Sequence, residues 1–537
     1  MNKIHKYLVP AMIAATVMPS CSDIDTNPLA ENVTESQKEQ VKTENPDMAL
    51  AGVTGVCALF NVFNSVMDRH LDFGYPSVML MSDSRGVDMI SPNSGYNWFA
   101  EAAEMGCCNT TSDTSQEVWG ICYNQIFAAN AVLSGIDPAT DDPTLQFFMA
   151  QALAFRAFDY LILAQTYQFT YKDHENDPCV MLITEKNQEQ VAADGCLRSS
   201  VQQTYDMIMD DLNRSVSLLQ SSGLRPEQII NSSPKRFISL AVAYGLRARA
   251  NLIMQNWAAA AEDAANAIAS FSGSPYSRTQ VSAPGFISLA DNSWMWGIPV
   301  AETDRTVTSG IVNFPSHMGS LNYGYASVGA YRKVNRALFD RIPESDVRKG
   351  WFLDAASQSP NLPENFQAYV DGQKIPPFAQ VKFAPYQNVL GTDNNASDIP
   401  LMRVEEMYLI QAEATAMSGN LPGGKQILEQ FVTTYRDPAF SSQASSAEEL
   451  QDETFFQRRV ELWGEGITFY DFLRLNKDLD RRGGGWPTEW CYDVKAGSNV
   501  LRLPIPNTEV QGNEAFRTAG NNNPGAPIPS PVTDTDY

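Results

Sequence analysis

Apolar residues recur at helical spacing through most of the first half of the chain, with short polar breaks between the periodic runs. This pattern predicts six helices. They cover Met48–Met67, Gln116–Leu133, Thr144–Tyr167, Ser200–Leu219, Pro234–Met254 and Trp257–Ser270. Only two residues separate the last two, so we expect these helices to form an antiparallel hairpin.

The hairpin carries small and aromatic residues at the positions where two helices must approach closely. Trp257, Ala260 and Ala264 are examples, and tetratricopeptide units use such positions in the same way. A second hairpin is predicted from Leu401–Ser418 and Leu421–Tyr435, around a Gly-Asn turn suited to a helix end. The chain is therefore predicted to be mostly α, with tetratricopeptide-like helical pairs; a plain helical bundle is the alternative.

Between the helical blocks, residues 271–399 are rich in Gly, Pro, Ser, Asn and aromatic residues and show only short periodic runs. This texture predicts long loops with some strand and short helix. Residues 82–111 and the tail from 483 to 537 are also irregular. Long loops in a compact protein usually carry function, so we expect a helical scaffold, mainly 46–270 and 400–475, to support a loop-rich ligand-binding face.

Composition excludes some partners. With 44% hydrophobic and 19% charged residues the chain is typical of a globular protein, but its net charge is −24. This charge repels phosphate backbones and anionic lipid headgroups, and no basic run compensates for it. We therefore expect no nucleic-acid partner.

The N-terminus has the pattern of a secretory signal: Lys3 and Lys6, an apolar stretch, and then Pro19-Ser20-Cys21. Cys21 lies where a bacterial lipoprotein is cleaved, which predicts a signal peptide over 1–20 and a lipidated cysteine with a polar tether over 21–45. Acyl chains such as palmitate on that cysteine would anchor the protein to a membrane. The alternative is an ordinary secreted protein in which Cys21 is incidental.

The remaining chemistry is sparse. Beyond Cys21 there are seven cysteines, without a C-x-x-C pair, and four histidines. Neither a metal site nor a disulfide scaffold is expected, and buried free thiols are preferred over a bridge between Cys179 and Cys196. No nucleophile elbow, phosphate loop or dinucleotide fingerprint is present, so we expect no cofactor.

Several segments, taken in order, resemble the SusD/RagB family of Bacteroidota outer-membrane nutrient-binding lipoproteins. The resemblance extends over nearly the whole mature chain, and the C-terminal segments are its most specific part. The segments are Trp119 with Tyr123–Ile126 and Asn130; Ala152–Ala157 with Tyr160 and Tyr167; Arg198, Tyr205–Ile208 and Asp210–Leu212; Ala243–Arg249; Pro400–Ala414; Arg458–Gly466; and Leu503–Pro506 with Glu509.

The resemblance implies a SusD-like α-α superhelix forming a single body over 46–537. It also implies a lipid-anchored protein of the cell outer membrane, facing the exterior, that captures an oligosaccharide or other nutrient. The nutrient would pass to a SusC-like TonB-dependent transporter. Peptide capture by a member of the same family stays open as an alternative.

Sugar binding needs aromatic faces for stacking, with amides or carboxylates nearby to hydrogen-bond hydroxyl groups. Two loop segments fit this requirement. The residues that we predict to bind ligand are Asp88, Asn93, Tyr96, Asn97 and Trp98 in the first segment, and Tyr323 and Tyr325 in the second. In both segments, the competing interpretation is that the rings only pack the loop onto the body.

Glutamates in the C-terminal segments raise the possibility of a surface glycoside hydrolase, in which two carboxylates act as acid and base. The candidates are Glu405, Glu406, Glu413, Glu461 and Glu465. Arginines lie close to them in the sequence, which favours structural ion pairs with lowered pKa values. We therefore predict no catalytic residues.

Overall fold

A computed structural model describes residues 46–534 of the chain. The predicted signal peptide, the tether and the lipidation site Cys21 lie outside the described residues.

Ten helices of eleven residues or more account for most of the scaffold within residues 46–534. They are α1 Pro46–Ala58, α2 Tyr75–Arg85, α3 Asp113–Ser134, α4 Pro143–Tyr167, α5 Val201–Ser222, α6 Leu240–Ile253, α7 Trp257–Ser270, α8 Val404–Met417, α9 Leu421–Tyr435 and α10 Ala447–Glu461.

Shorter helices occupy the irregular regions. They are Ala100–Ala103, Gly106–Cys108, Gln188–Asp194, Pro226–Ile229, Pro234–Arg236, Arg278–Val281, Arg305–Thr308, Phe314–Met318, Ala326–Ala330, Arg336–Arg341, Val347–Trp351, Glu364–Gln373, Tyr386–Asn388, Thr468–Arg474, Thr488–Trp490, Asn499–Leu501, Asn507–Gly512 and Glu514–Ala519.

The strands in the described residues are β1 Met89–Ile90, β2 Trp294–Ile298, β3 Lys333–Val334, β4 Ile399–Arg403, β5 Leu479–Asp480 and β6 Asp493–Val494. They form three two-stranded antiparallel sheets, which pair β1 with β3, β2 with β4 and β5 with β6. The prediction of a mostly α protein with little strand is confirmed.

Side-chain caps explain where several helices begin. Ser200 and Gln203 form a reciprocal capping box at the start of α5, and Ser112 accepts a hydrogen bond from the Ser115 amide at the start of α3. Asp142 caps α4, whose first residue, Pro143, has no amide hydrogen that would need a partner. The observed starts lie within three residues of those predicted from the sequence.

The helical hairpins are present as predicted. Helix α6 packs against α7, α7 against α8, and α8 against α9. Glycines allow two close approaches: a Cβ on Gly245 would lie 2.5 Å from the sulfur of Met402 on strand β4, and one on Gly424 of α9 would lie 2.7 Å from the Ala412 carbonyl oxygen of α8. The packed helix pairs confirm the tetratricopeptide-like arrangement.

The first predicted helix was wrong at its C-terminal end. Helix α1 stops at Ala58, and residues 59–74, here called the 59–74 loop, form turns instead. The buried carboxylate of Asp72 accepts the backbone amides of Val66 and Met67, at 2.7 and 2.6 Å. This competing acceptor satisfies amides that a continued helix would have bonded.

Two other predicted starts were too early. Residues 234–236 form a separate 3₁₀ turn, and α6 begins after Ser239, whose side chain accepts the Val242 amide. Residues 399–403 form strand β4 against β2, so α8 begins at Val404 rather than at Leu401. In the first case a local serine cap sets the start of the helix, and in the second case strand pairing overrides the local apolar pattern.

The core extends through both the helical and the loop-rich regions. Trp294 and Trp296 lie fully buried on β2. Helix α4 is long and apolar enough to cross a membrane, but its apolar stretch is entirely buried by other parts of the protein. It is therefore packed as the central helix of the scaffold.

All seven cysteines within the described residues are free, and six of them are buried; Cys196 is half-buried. The preference for free thiols over a bridge between Cys179 and Cys196 is confirmed.

Candidate functional site

The C-terminal glutamates lie in a buried network of ion pairs. Glu461 accepts hydrogen bonds from Arg403 at 3.0 Å, from Arg436 at 2.7 and 2.8 Å, and from Arg348 at 3.2 Å. All four side chains are fully buried. The three guanidinium groups hold the pKa of Glu461 well below its usual range, against the opposing effect of burial.

Glu465 belongs to the same network. Arg403 and Lys382 donate to its carboxylate at 2.8 and 2.6 Å. Burial lowers the pKa of Lys382 to about 8, while the cationic neighbours keep the pKa of Glu465 below its usual range. Both glutamates therefore stay ionised and hydrogen-bonded to cationic side chains, whereas a general acid must carry a proton that it can donate to the substrate.

The remaining glutamates named from the sequence are also paired with arginines. Glu413 accepts two hydrogen bonds from Arg474, at 2.6 and 2.8 Å, and Glu406 accepts from Arg249 at 2.9 Å. Glu405 pairs with Arg403 at 3.1 Å and with Arg436 at 3.2 Å. These pairs hold α6, α8 and the segment after α10 together, so the structural interpretation accounts for all five carboxylates.

A different region brings aromatic side chains together at the surface. We call the side chains of His70, Tyr96, Trp98 and Tyr325 the aromatic platform. They come from three segments that are far apart in sequence: the 59–74 loop, residues 91–99 and residues 321–331. The loops that carry Trp98 and Tyr325, predicted separately from the sequence, are thus neighbours.

The inner rings of the platform are in mutual contact. The His70 ring lies 4.5 Å from that of Trp98 and 5.8 Å from that of Tyr325, measured between centroids, and Trp98 meets Tyr325 edge to face at 6.2 Å. The His70 Nδ1 atom is also hydrogen-bonded to the Tyr325 hydroxyl group. Trp98 is half-buried and Tyr325 is buried, so these rings form the floor of the platform.

Two tyrosines of these segments are exposed: Tyr96, and Tyr323, which precedes the floor residue Tyr325 by two positions. Tyr96 and Tyr323 each expose 52% of their surface, among the highest values for any large apolar side chain in the described residues. A Cβ placed on Gly329 would lie 3.4 Å from the Tyr96 ring, which fixes Tyr96 against the 321–331 segment. Val328, 39% exposed, lies beside that glycine.

Buried polar residues support the platform from below. His317 stacks on Tyr325 at 4.8 Å and donates from Nε2 to the His70 carbonyl oxygen at 3.0 Å. Arg332 is fully buried and donates to the carbonyl oxygen of His317 and to the Ser91 hydroxyl group. Burial lowers the pKa of His317 to about 3, helped by the charge of Arg332, so His317 stays neutral.

Three predicted ligand residues lie outside the exposed aromatic surface. Asp88 is buried, and its carboxylate accepts the Arg459 guanidinium at 3.0 Å. Asn97 is buried and bonds to Pro92 and Phe99 within its own loop, while Asn93 is exposed and donates to Glu489. Asn93 and Glu489 therefore form a polar rim, whereas Asp88 and Asn97 stabilise the loop.

His70 is not among the residues that we predicted to bind ligand, although its ring completes the platform. Its ring partners, Trp98 and Tyr325, are 28 and 255 residues away, so no local sequence pattern could indicate this position. Within residues 46–534, no group of three or more His, Cys, Asp or Glu side chains is arranged to hold a metal ion.

Two family models match the chain. One, described as "Starch-binding associating with outer membrane", matches residues 75–250, and the other, described as "SusD family", matches residues 372–525. Together they cover more than half of the chain. Among curated proteins, none matches it.

Solved structures share the fold. A SusD-like carbohydrate binding protein from Bacteroides vulgatus is 23% identical, with a TM-score of 0.71 over 89% of this chain and 98% of that chain. A SusD superfamily protein from Bacteroides thetaiotaomicron is 21% identical, with a TM-score of 0.66 over 87% and 98%.

Surface glycan-binding protein A from Bacteroides thetaiotaomicron, solved in complex with laminarihexaose, is 16% identical, with a TM-score of 0.63 over 89% of this chain and 99% of that chain. At these identities the likeness establishes the fold. From the two family models and the shared fold, we conclude that the chain belongs to the SusD/RagB family.

Proposed function

We propose that this protein is a lipid-anchored, non-catalytic lipoprotein of the outer membrane that captures a glycan at the aromatic platform. The glycan is then delivered to a SusC-like TonB-dependent transporter. In this proposal residues 1–20 are the signal peptide, residues 21–45 carry the anchor and tether, and residues 46–537 form one binding body.

The observation that carries the proposal is the convergence of four rings, those of His70, Tyr96, Trp98 and Tyr325, from three segments. Pyranose rings present faces of C–H groups that stack on aromatic side chains, and polar groups at the edge hydrogen-bond the hydroxyl groups. Exposed Tyr96 and Tyr323 supply the stacking surfaces, half-buried Trp98 supplies a rigid floor, and the Asn93–Glu489 pair supplies polar edge groups.

Two further findings support the proposal. The family is one of binding proteins associated with the outer membrane, and a structural relative was solved with laminarihexaose. The five C-terminal carboxylates, which were the basis for a hydrolase alternative, are committed to buried arginines. Neither finding specifies the sugar, so the ligand class remains the point to test.

The test is a calorimetric screen of the soluble protein lacking residues 1–21 against neutral oligosaccharides, laminarihexaose included, and against a peptide library. We expect at least one oligosaccharide to bind and to be recovered intact after long incubation. Binding of peptides alone would favour the peptide-capturing alternative, and shortened oligosaccharides would favour a hydrolase.

Transporter delivery needs a separate test, because glycan binding alone does not require a transporter. Affinity purification of the full-length protein from detergent-solubilised outer membranes is expected to recover a TonB-dependent barrel in stoichiometric amount. Recovery of the lipoprotein alone, under conditions that keep other membrane complexes intact, would contradict this part of the proposal.

A further inference from the structure

The 59–74 loop is organised around one buried carboxylate. Besides the Val66 and Met67 amides, Asp72 accepts the Ser65 hydroxyl group at 3.2 Å, and its backbone carbonyl oxygen accepts the Asn64 amide. Asp72 has no exposed surface. The loop that presents His70 to the platform thus depends on the position of this side chain.

Glu117, on helix α3, lies against Asp72 and is also fully buried. Neither of its carboxyl oxygens receives a hydrogen bond from any donor in the described residues. The same helix face touches the loop one turn later, since a Cβ on Gly120 would lie 2.6 Å from a Val66 methyl carbon. Two buried carboxyl groups in contact cannot both be ionised at reasonable cost.

We propose that Glu117 is a positioning residue that remains protonated in the folded protein and donates a hydrogen bond to Asp72, thereby holding the 59–74 loop and His70 against the aromatic platform. The acid proton gives the Asp72 carboxylate a further donor. It also leaves one negative charge in the buried pair instead of two.

The titration behaviour agrees with this arrangement. Burial, followed by the neighbouring carboxylate of Asp72, raises the pKa of Glu117 well above its usual range. Asp72 from the loop and Asp113 from the start of α3 are the titratable groups that act on it. Asp113 is partly compensated by Arg69, at 3.2 Å on the surface.

The sign of the pH dependence follows from the raised pKa. A carboxyl group that the fold keeps protonated contributes its full stability below the unfolded-state pKa of about 4.3 and loses it as pH rises toward the folded-state pKa. Across that interval the folding equilibrium shifts toward the unfolded state by about tenfold per pH unit for this group. Replacing it by an amide removes the dependence.

The decisive experiment compares the wild type with Glu117→Gln, whose amide still donates to Asp72 but does not titrate. The infrared spectrum of the wild type minus that of Glu117→Gln at neutral pH should contain the carbonyl stretch of one protonated carboxylic acid. Glu117→Gln should also gain about tenfold in folding equilibrium per pH unit, relative to the wild type, above about pH 4.3. Asp159→Asn serves as the control for changing another buried carboxyl group, on α4.

A second measurement follows the loop itself. The described residues contain three histidines, so the ring proton signals of His70 are readily assigned by NMR. Glu117→Ala removes the donor and should shift the His70 signals away from those of the wild type, whereas Glu117→Gln should preserve them and Asp159→Asn should leave them unchanged.

The proposal is overturned if the acid band is absent, or if Glu117→Gln and the wild type depend on pH in parallel. It is also overturned if His70 is unaffected in a folded Glu117→Ala variant. The link to ligand binding rests on the proposed function, but these readouts need no glycan. Failure of the glycan screen would therefore leave the Glu117–Asp72 pair testable, and the reverse also holds.

Discussion

Replacing Glu461 by glutamine should destabilise the protein strongly, and it should not remove a catalytic activity. The amide keeps the shape of the side chain but removes the charge that three buried guanidinium groups share, and it presents an N–H group to one of them. The hydrogen bonds at risk run from Arg403, Arg436 and Arg348 at 2.7–3.2 Å. Breaking a buried ion pair by removing one partner typically costs about 3–5 kcal/mol.

Equilibrium unfolding in denaturant at neutral pH measures this cost. Glu344→Gln is the matched control, because the Glu344 side chain is 89% exposed and pairs with Lys349. The control should unfold like the wild type. The two Glu→Gln variants thus differ mainly in burial and in the number of cationic partners.

The pH dependence gives an independent check. The pKa of Glu461 is depressed by its arginines, so its contribution is present above the unfolded-state value of about 4.3 and is lost as pH falls further. The wild type should therefore lose its advantage over Glu461→Gln on acidification. Unchanged stability of Glu461→Gln at neutral pH would refute the structural interpretation, and loss of a glycan-cleaving activity at unchanged stability would favour an enzyme.

Three further predictions concern other parts of the molecule. Gly466→Ala should lower the midpoint of thermal unfolding, because Gly466 has a φ of +75° and a Cβ there would lie 2.6 Å from the Met79 Cα atom. An unchanged midpoint would contradict the close packing of α2 on this turn. In the native protein lacking residues 1–21, the half-buried thiol of Cys196 should react with a disulfide reagent before the six buried ones, because the reagent can reach it. A buried thiol reacting first would contradict this. Oligosaccharides that carry uronic acids should bind more weakly than their carboxyl-reduced forms, because the exposed Glu489 beside Asn93 and the net charge of −24 repel an anionic sugar. Equal affinities at low salt would contradict this.

Much of the scaffold could be predicted because it depends on local pattern. The helix α9 has the predicted bounds, and α7 begins and ends where the alanine-rich pattern does. The errors occur where a side chain or a strand outside the predicted helix bonds backbone groups of that helix. Asp72 takes amides that would have extended α1, and strand β2 takes the residues that precede α8.

Only part of the aromatic platform could be predicted from the sequence. The aromatic residues of the Gly- and Asn-rich segments drew attention to the loops with Tyr96, Trp98 and Tyr323, and the rings of Tyr96 and Tyr323 are exposed in the structure. The contact between Trp98 and Tyr325 joins residues 227 positions apart, and the histidine between them comes from a third segment. Such proximity is set by the packing of the loop-rich region on the scaffold and leaves no periodic signal.

The central claim is that the aromatic platform binds the glycan, and titration calorimetry of platform variants tests it most directly. Trp98→Ala and Tyr96→Ala should each weaken binding of the tightest oligosaccharide from the screen by about tenfold, since stacking contacts of this type contribute about 1 kcal/mol or more. Phe127→Ala is the matched control, because Phe127 is 47% exposed on α3 and Tyr96 is 52% exposed. Phe127→Ala should bind the oligosaccharide with unchanged affinity, and both platform variants should bind it more weakly. Full affinity in folded Trp98→Ala and Tyr96→Ala proteins would contradict glycan binding at the platform.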